Sequence, residues 1–179
     1  MLTRDHASLD RASGLILPGV GAFAEGMRRL NSHAIPDKLV ALARAGKPLL
    51  GICLGYQMLM RSSTEHGTCA GLGLIDQEVV KLPVTARLPH IGWSRVHSAT
   101  RGTHTPRLLA GLDGELFYFV HSYGVLTPGP TVVAGLSEYA GCQMSALLEL
   151  DNVFGTQFHP ERSGDAGLQL LRNFTNLCR

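Results

Sequence analysis

The sequence predicts an α/β fold in one domain spanning residues 1–179. Short apolar runs of strand length alternate with segments of helical period in the first half, and the second half reads mainly as strands parted by turn residues. The last stretch is a one-sided helix suited to covering a sheet.

In chain order, residues 14–17 (GLIL) form an apolar run stopped by Pro18, as expected of a buried parallel strand. Between Pro36 and Ala45, Leu39, Val40, Leu42 and Ala43 recur at helical spacing, with Pro36 suited to the first turn and Gly46 to the end. Residues 48–52 (PLLGI) read as a second buried strand and residues 54–62 as a helix. Residues 78–82, 116–120, 131–136, 144–150 and 153–158 all read as strands, with Pro128-Gly129-Pro130 and Asp151-Asn152 as turns. Leu170, Leu171, Phe174, Leu177 and Cys178 then fall on one face of the final helix. No repeat, low-complexity tract or linker interrupts the chain.

Composition narrows the function classes. The 16 basic and 14 acidic residues leave a formal charge of +2, and no basic run stands out, so nucleic-acid binding is not expected. The longest apolar stretch, residues 48–60, is too short to span a bilayer and is interrupted by Gly51, Gly55 and Gln57, so no membrane association is expected either. The opening MLTRDHASLD is polar and does not read as a signal peptide. Cys53, Cys69, Cys142 and Cys178 form no CxxC pair and no metal-ligand spacing with histidine. That predicts no metal site and a cytoplasmic protein.

Gly51-Ile52-Cys53-Leu54-Gly55 lies between a predicted strand and a predicted helix, the context of a nucleophile elbow. A nucleophile raised on such a sharp turn sits on strained backbone, and side chains two positions away on either side would collide; glycine at both removes them. The helix N-terminus is expected to favour thiolate at Cys53, and the Leu54 amide to point where an oxyanion would form. The alternative for Cys53 is a buried structural thiol.

A cysteine nucleophile needs a base, and the base needs an acceptor on its other ring nitrogen. Gln157-Phe158-His159-Pro160-Glu161 supplies both at the end of the last predicted strand. His159 and Glu161 are two apart, so on an extended segment they face the same way and the carboxylate fixes the imidazole tautomer. Pro18-Gly19-Val20-Gly21 follows the first strand, where two glycines let an amide turn toward a ligand as a second oxyanion donor. By itself it reads rather as an ordinary strand-ending turn.

GICLGYQ, QFHPE and PGVGAF together resemble the class I (triad) glutamine amidotransferases. PGVGAF, HIGW (His90 to Trp93), FVHSYG (Phe119 to Gly124) and HPERSG followed by LQLLRNF narrow the resemblance to the glutaminase subunits of imidazole glycerol phosphate synthase, along the whole chain. The resemblance implies a three-layer, flavodoxin-like domain with a central, mostly parallel sheet. It implies Cys53, His159 and Glu161 as a triad, with the oxyanion on Leu54 and the Gly19-Val20 region. Gln57 and Glu65 match residues that hold the amino-acid end of glutamine, and His121, Ser122 and Tyr123 match the segment lining that pocket. Read without the family, Gln57 is a solvated helix residue, Glu65 a loop charge and HSY a strand terminus. No metal or organic cofactor is implied. The implied partner is a TIM-barrel cyclase forming a heterodimer, which receives the ammonia and makes imidazole glycerol phosphate in histidine biosynthesis; the region of Trp93 faces it.

The chain departs from the pattern at its start, where Leu2-Thr3-Arg4-Asp5 resembles the segment just after the family's second strand. The first strand and helix are therefore expected to be missing, leaving a gap or an unpaired edge. Ser94 stands where asparagine usually follows HIGW, and Arg162 where lysine is usual. Two other readings stay open at this point: a glutaminase subunit of another synthase, and a partner-binding subunit without catalysis.

Overall fold

The computed structural model describes residues 2–99, 106–126 and 133–178. The expected turn at Pro128-Gly129-Pro130, and the start of the strand expected from residue 131, lie outside the described residues.

Asp5 opens α1 (His6–Arg11), its carboxylate accepting the Ser8 amide at 2.8 Å. β1 (Leu15–Gly19), α2 (Phe23–Asn31), α3 (Ile35–Arg44), β2 (Leu49–Cys53) and α4 (Leu54–Met58) follow. Next come β3 (Met60–Ser63), β4 (Cys69–Ala70), β5 (Ile75–Lys81), β6 (His90–Arg95) and β7 (His97–Ser98). β8 (Leu116–His121), β9 (Tyr123–Gly124), β10 (Val133–Tyr139), β11 (Cys142–Leu150), β12 (Val153–Thr156) and α5 (Gly164–Leu177) complete the order.

The central sheet runs β1-β2-β12-β11-β10-β7. β1, β2 and β12 are mutually parallel, while β11, β10 and β7 join antiparallel, so the expected mostly parallel sheet is parallel in its site-bearing part and antiparallel beyond it. Neighbouring residues along each strand feed opposite cores. Leu49, Leu148 and Val153 pack with Phe23, Met27, Ile35 and Leu39 from α2 and α3. Leu50, Leu147 and Phe154 pack with Leu170 and Phe174 of α5. Two-sided burial makes helix, sheet and helix three layers, and each fully buried Leu or Phe stabilises the fold by about 1.5–3 kcal/mol.

Pro18 does not stop β1 but lies inside it, aligned with Ile52. The Leu15 amide donates to Pro48 across the β1–β2 seam, so by alternation the amides of residues 16 and 18 face the open side of β1. There the missing N–H of proline costs no ladder bond.

The helix expected over residues 54–62 ends at Met58 and gives way to β3. Leu72 donates to the Met58 carbonyl and Leu74 and Ile75 to that of Leu59, while Gly71 and Gly73 bond Arg61 and Met60. These distant amides take the carbonyls that another helical turn would have used. α2 and β6 carry no expectation from the sequence; α2 buries only Phe23 and Met27.

Candidate functional site

Cys53 stands at the end of β2 with φ 54° and ψ −109°, a left-handed conformation that an L-residue adopts only under constraint. The elbow's glycines are demanded by backbone. A Cβ at Gly51 would lie 2.7 Å from the Gly55 carbonyl and from the backbone of Tyr56. Tyr56 is itself fully buried, fitted over Gly155 of β12 with its hydroxyl donating to Ser145 O at 3.2 Å. α4 is thereby pinned to the sheet with Cys53 at its head.

A cavity of about 610 Å³ opens at this point, lined among others by Val20, Gly21, Cys53, Leu54, Gln57, Glu65, His121, Ser122, Tyr123 and His159. Gly19 pairs with Cys53 in the β1–β2 register, and Val20, 78% exposed, lies at the cavity's rim. The cavity thus gathers every residue expected to act in catalysis, at the oxyanion or on the substrate, except Gly19, which pairs with Cys53, and Glu161, which contacts His159.

His159 is buried, with Nδ1 2.6 Å from Glu161 Oε1. Since a carboxylate accepts, Nδ1 carries the proton, and in the neutral imidazole Nε2 is left as an acceptor. Nε2 has no hydrogen-bond partner, one of two such buried side-chain atoms among the described residues. An unsatisfied buried ring nitrogen costs about 1–3 kcal/mol and calls for a functional reason. The His159–Glu161 contact is not made on an extended segment as the sequence predicts. His159 is extended, but Pro160–Arg162 form a 3-10 turn closed by Arg162 N–H to His159 O at 3.0 Å. Ser163 Oγ donates to His159 O at 2.6 Å and accepts from the Tyr118 amide, which ties the turn to β8.

The Cys53 thiol is pushed up to about 11, chiefly by burial, against a smaller lowering from the Leu54 amide; the Glu161 carboxylate adds to the rise. This runs against the expected thiolate: burial outweighs the Leu54 amide and favours the thiol at rest. The Leu54 amide also acts on that sulfur, favouring its anion, so it lies near the reacting atom.

Gln57 is not solvated but buried, and both its N–H groups are engaged, to Tyr123 O at 2.8 Å and Gln157 Oε1 at 3.0 Å. Only its oxygen remains for a ligand. Glu65 Oε2 accepts the Phe23 amide at 2.7 Å at the start of α2, a helix cap as well as a charge at the cavity. His121 donates from Nδ1 to Tyr123 O at 2.9 Å, which fixes Nε2 as acceptor from His90 Nδ1 at 3.3 Å. Both rings are held near 4 by burial and are neutral. The Ser122 carbonyl accepts the Leu82 amide. Gln157, fully buried beside Cys53, received no role from the sequence, although its place in QFHPE was the available signal.

Residues 3–177 match the glutamine amidotransferase class-I family. An imidazole glycerol phosphate synthase subunit HisH from Desulfitobacterium hafniense is 46% identical over 169 residues, covering 94% of this chain and 78% of that protein. The HisH subunit of Methanothermobacter thermautotrophicus is 42% identical over 179 residues, covering 100% of this chain and 86% of its own length. A solved glutamine amidotransferase superposes with a TM-score of 0.75 at 20% identity, over 98% of this chain and 84% of that one, which speaks to the fold. The chain belongs to the class I glutamine amidotransferases and, within them, to the family of the imidazole glycerol phosphate synthase subunit HisH. Among the described residues, no helix is long and apolar enough to cross a membrane.

Proposed function

We propose that the chain is the glutaminase subunit of imidazole glycerol phosphate synthase and hydrolyses glutamine at Cys53. The observation that carries this reading is His159 Nε2, a bare, unpartnered acceptor bordering the same cavity as the Cys53 thiol, with Nδ1 held by Glu161.

The resting thiol must lose its proton as it attacks. His159 Nε2 takes that proton while sulfur adds to the side-chain amide carbon of glutamine, and Glu161 stabilises the imidazolium. The tetrahedral oxyanion is met by the Leu54 amide and by an amide of the Gly19-Val20 segment. Imidazolium then protonates the departing nitrogen, ammonia leaves and a glutamyl thioester remains. His159 next removes a proton from water, which attacks the thioester and releases glutamate and the thiol. The Glu65 carboxylate and the free oxygen of Gln57 suit the ammonium of the substrate, and the Ser122–Tyr123 backbone its other end.

The ammonia goes to a TIM-barrel cyclase in histidine biosynthesis, and the docking face assigned to that partner is the antiparallel β6–β8 pair. Ile91 and Trp93, 61% and 53% exposed, form an apolar surface there with Leu116. Tyr118 meets Trp93 edge-on and carries Arg162 over its ring, so this face adjoins the turn carrying His159 and Glu161. The four free cysteines suit a cytoplasmic setting.

The test is labelling with an electrophilic glutamine analogue, with ammonia release measured in the presence of the cyclase. Modification confined to Cys53, and loss of ammonia release in Cys53→Ala, are expected. Modification of Cys69, Cys142 or Cys178 with Cys53 untouched would refute the assignment.

A further inference from the structure

Cys53 must become an anion in a place that disfavours anions, and a chain of hydrogen bonds with one possible direction ends on its sulfur. The Tyr123 carbonyl can only accept, so the nitrogen of the Gln57 amide lies against it at 2.8 Å. The second N–H of Gln57 therefore points at Gln157, whose oxygen must be the atom that receives it, at 3.0 Å. That leaves the Gln157 nitrogen facing Cys53 Sγ at 3.9 Å. Flipping Gln157 would set two N–H groups against each other and an oxygen against the sulfur, between side chains that are all buried. The Tyr123 carbonyl is itself held by His121 Nδ1, itself behind the His90 and Ser94 side chains (3.3 and 3.1 Å), so the direction is anchored well outside the cavity.

We propose that Gln157 holds a fixed N–H donor on the Cys53 sulfur and stabilises the thiolate as it forms, with Gln57 acting as the positioning residue that sets its orientation. A neutral thiol accepts weakly at this distance, whereas a thiolate draws a donor in and bonds it strongly. The donor thus favours the charged form over the resting one, as a group serving the attacking state should. Gln157 and the Leu54 amide then approach the sulfur from different elements, the end of β12 and the head of α4. The inference rests on the glutaminase reading for its purpose, but not for its measurement.

The measurement is the rate at which iodoacetamide alkylates Cys53 across neutral and alkaline pH, with peptide mass spectrometry separating Cys53 from the other three cysteines. Gln157→Glu keeps the length and the acceptor for Gln57 but sets a carboxylate oxygen against the sulfur. Gln157→Met keeps bulk and removes the donor, and it serves if the charged variant does not fold. The other titratable groups at the cavity, namely Glu65, His66, Lys81, His121 and His159 with Glu161 behind it, are common to all three proteins. Alkylation at fixed pH should fall about tenfold or more in Gln157→Glu, a displacement of about one pH unit, and severalfold in Gln157→Met. A folded Gln157→Met protein that alkylates at the unsubstituted rate throughout overturns the proposal, as does faster alkylation in either variant. If the alkylation rates shift as stated but the unsubstituted protein releases no ammonia from glutamine with its cyclase, the glutaminase reading falls and the role of Gln157 at the thiol stands.

Discussion

Gly55 sits so close beneath Leu17 that a β-carbon on it would stand 1.7 Å from the Leu17 carbonyl oxygen. The obstacle is the backbone of β1, which cannot rotate away as a side chain could. Gly55→Ala should therefore lift α4 from the sheet and cost about 3 kcal/mol or more, read as a lower denaturation midpoint. Gly19→Ala, whose added carbon meets the Leu54 side chain at 3.1 Å, should cost clearly less. A Gly55→Ala midpoint equal to that of the unsubstituted protein would show that the elbow tolerates bulk.

Glu161→Gln keeps a group of the same shape at His159 Nδ1 and removes the charge that favours imidazolium. Glu161 is half exposed, with 50% of its side chain in solvent, so water replaces part of its effect. Turnover should fall on the order of 10- to 100-fold with KM for glutamine little changed. Steady-state kinetics at saturating glutamine distinguish this from a binding defect.

Glu65→Gln should do the reverse. The carboxylate faces the cavity and caps α2 through the Phe23 amide. Its loss should raise KM for glutamine about tenfold and leave turnover nearly unchanged, because the bond to substrate proposed for it would be present in ground and transition states alike. A fall in turnover at unchanged KM would place Glu65 elsewhere in the chemistry.

His90 and His121 make the fold acid-sensitive. Burial holds both near 4, against 6.5 when unfolded, so the unfolded chain binds more protons in this window. The stability they lend is present in full above about 6.5 and is lost as pH falls toward 4, by up to about tenfold in the folding equilibrium per pH unit per histidine. His90, stacked between Phe119 and Tyr139, is open to a direct check. His90→Phe should lower stability at neutral pH, by orphaning His121 Nε2, yet flatten the decline between pH 6.5 and 4. Denaturant midpoints at several pH values report both effects.

The elbow was legible because its demand is local: Gly51 and Gly55 flank Cys53 at a spacing that serves little else. The His159–Glu161 pair was legible for the same reason, although the turn that joins them was not, since Pro160 allows both an extended and a 3-10 course. The end of α4 was hidden, because LGYQMLM continues at helical spacing and only the distant amides of residues 71–75 stop it. The orientation of Gln157 was hidden more deeply: it depends on the Tyr123 carbonyl, which no pattern around QFHPE reveals. α2 buries two side chains on one face, too few for its periodicity to stand out.

Pro18 also bears on how β1, the edge of the central sheet among the described residues, would receive another extended segment. On its free side β1 offers only two backbone amide positions, 16 and 18, and proline leaves the second without hydrogen. Ile16, 48% exposed on the same strand, would otherwise make it an attractive template for an incoming extended segment. A visiting strand finds one donor where it needs two in register. Pro18→Val would restore the second and should make the protein self-associate in a concentration-dependent way, visible by light scattering, so one imino acid within the elbow's neighbouring strand helps keep an enzyme from growing into a polymer.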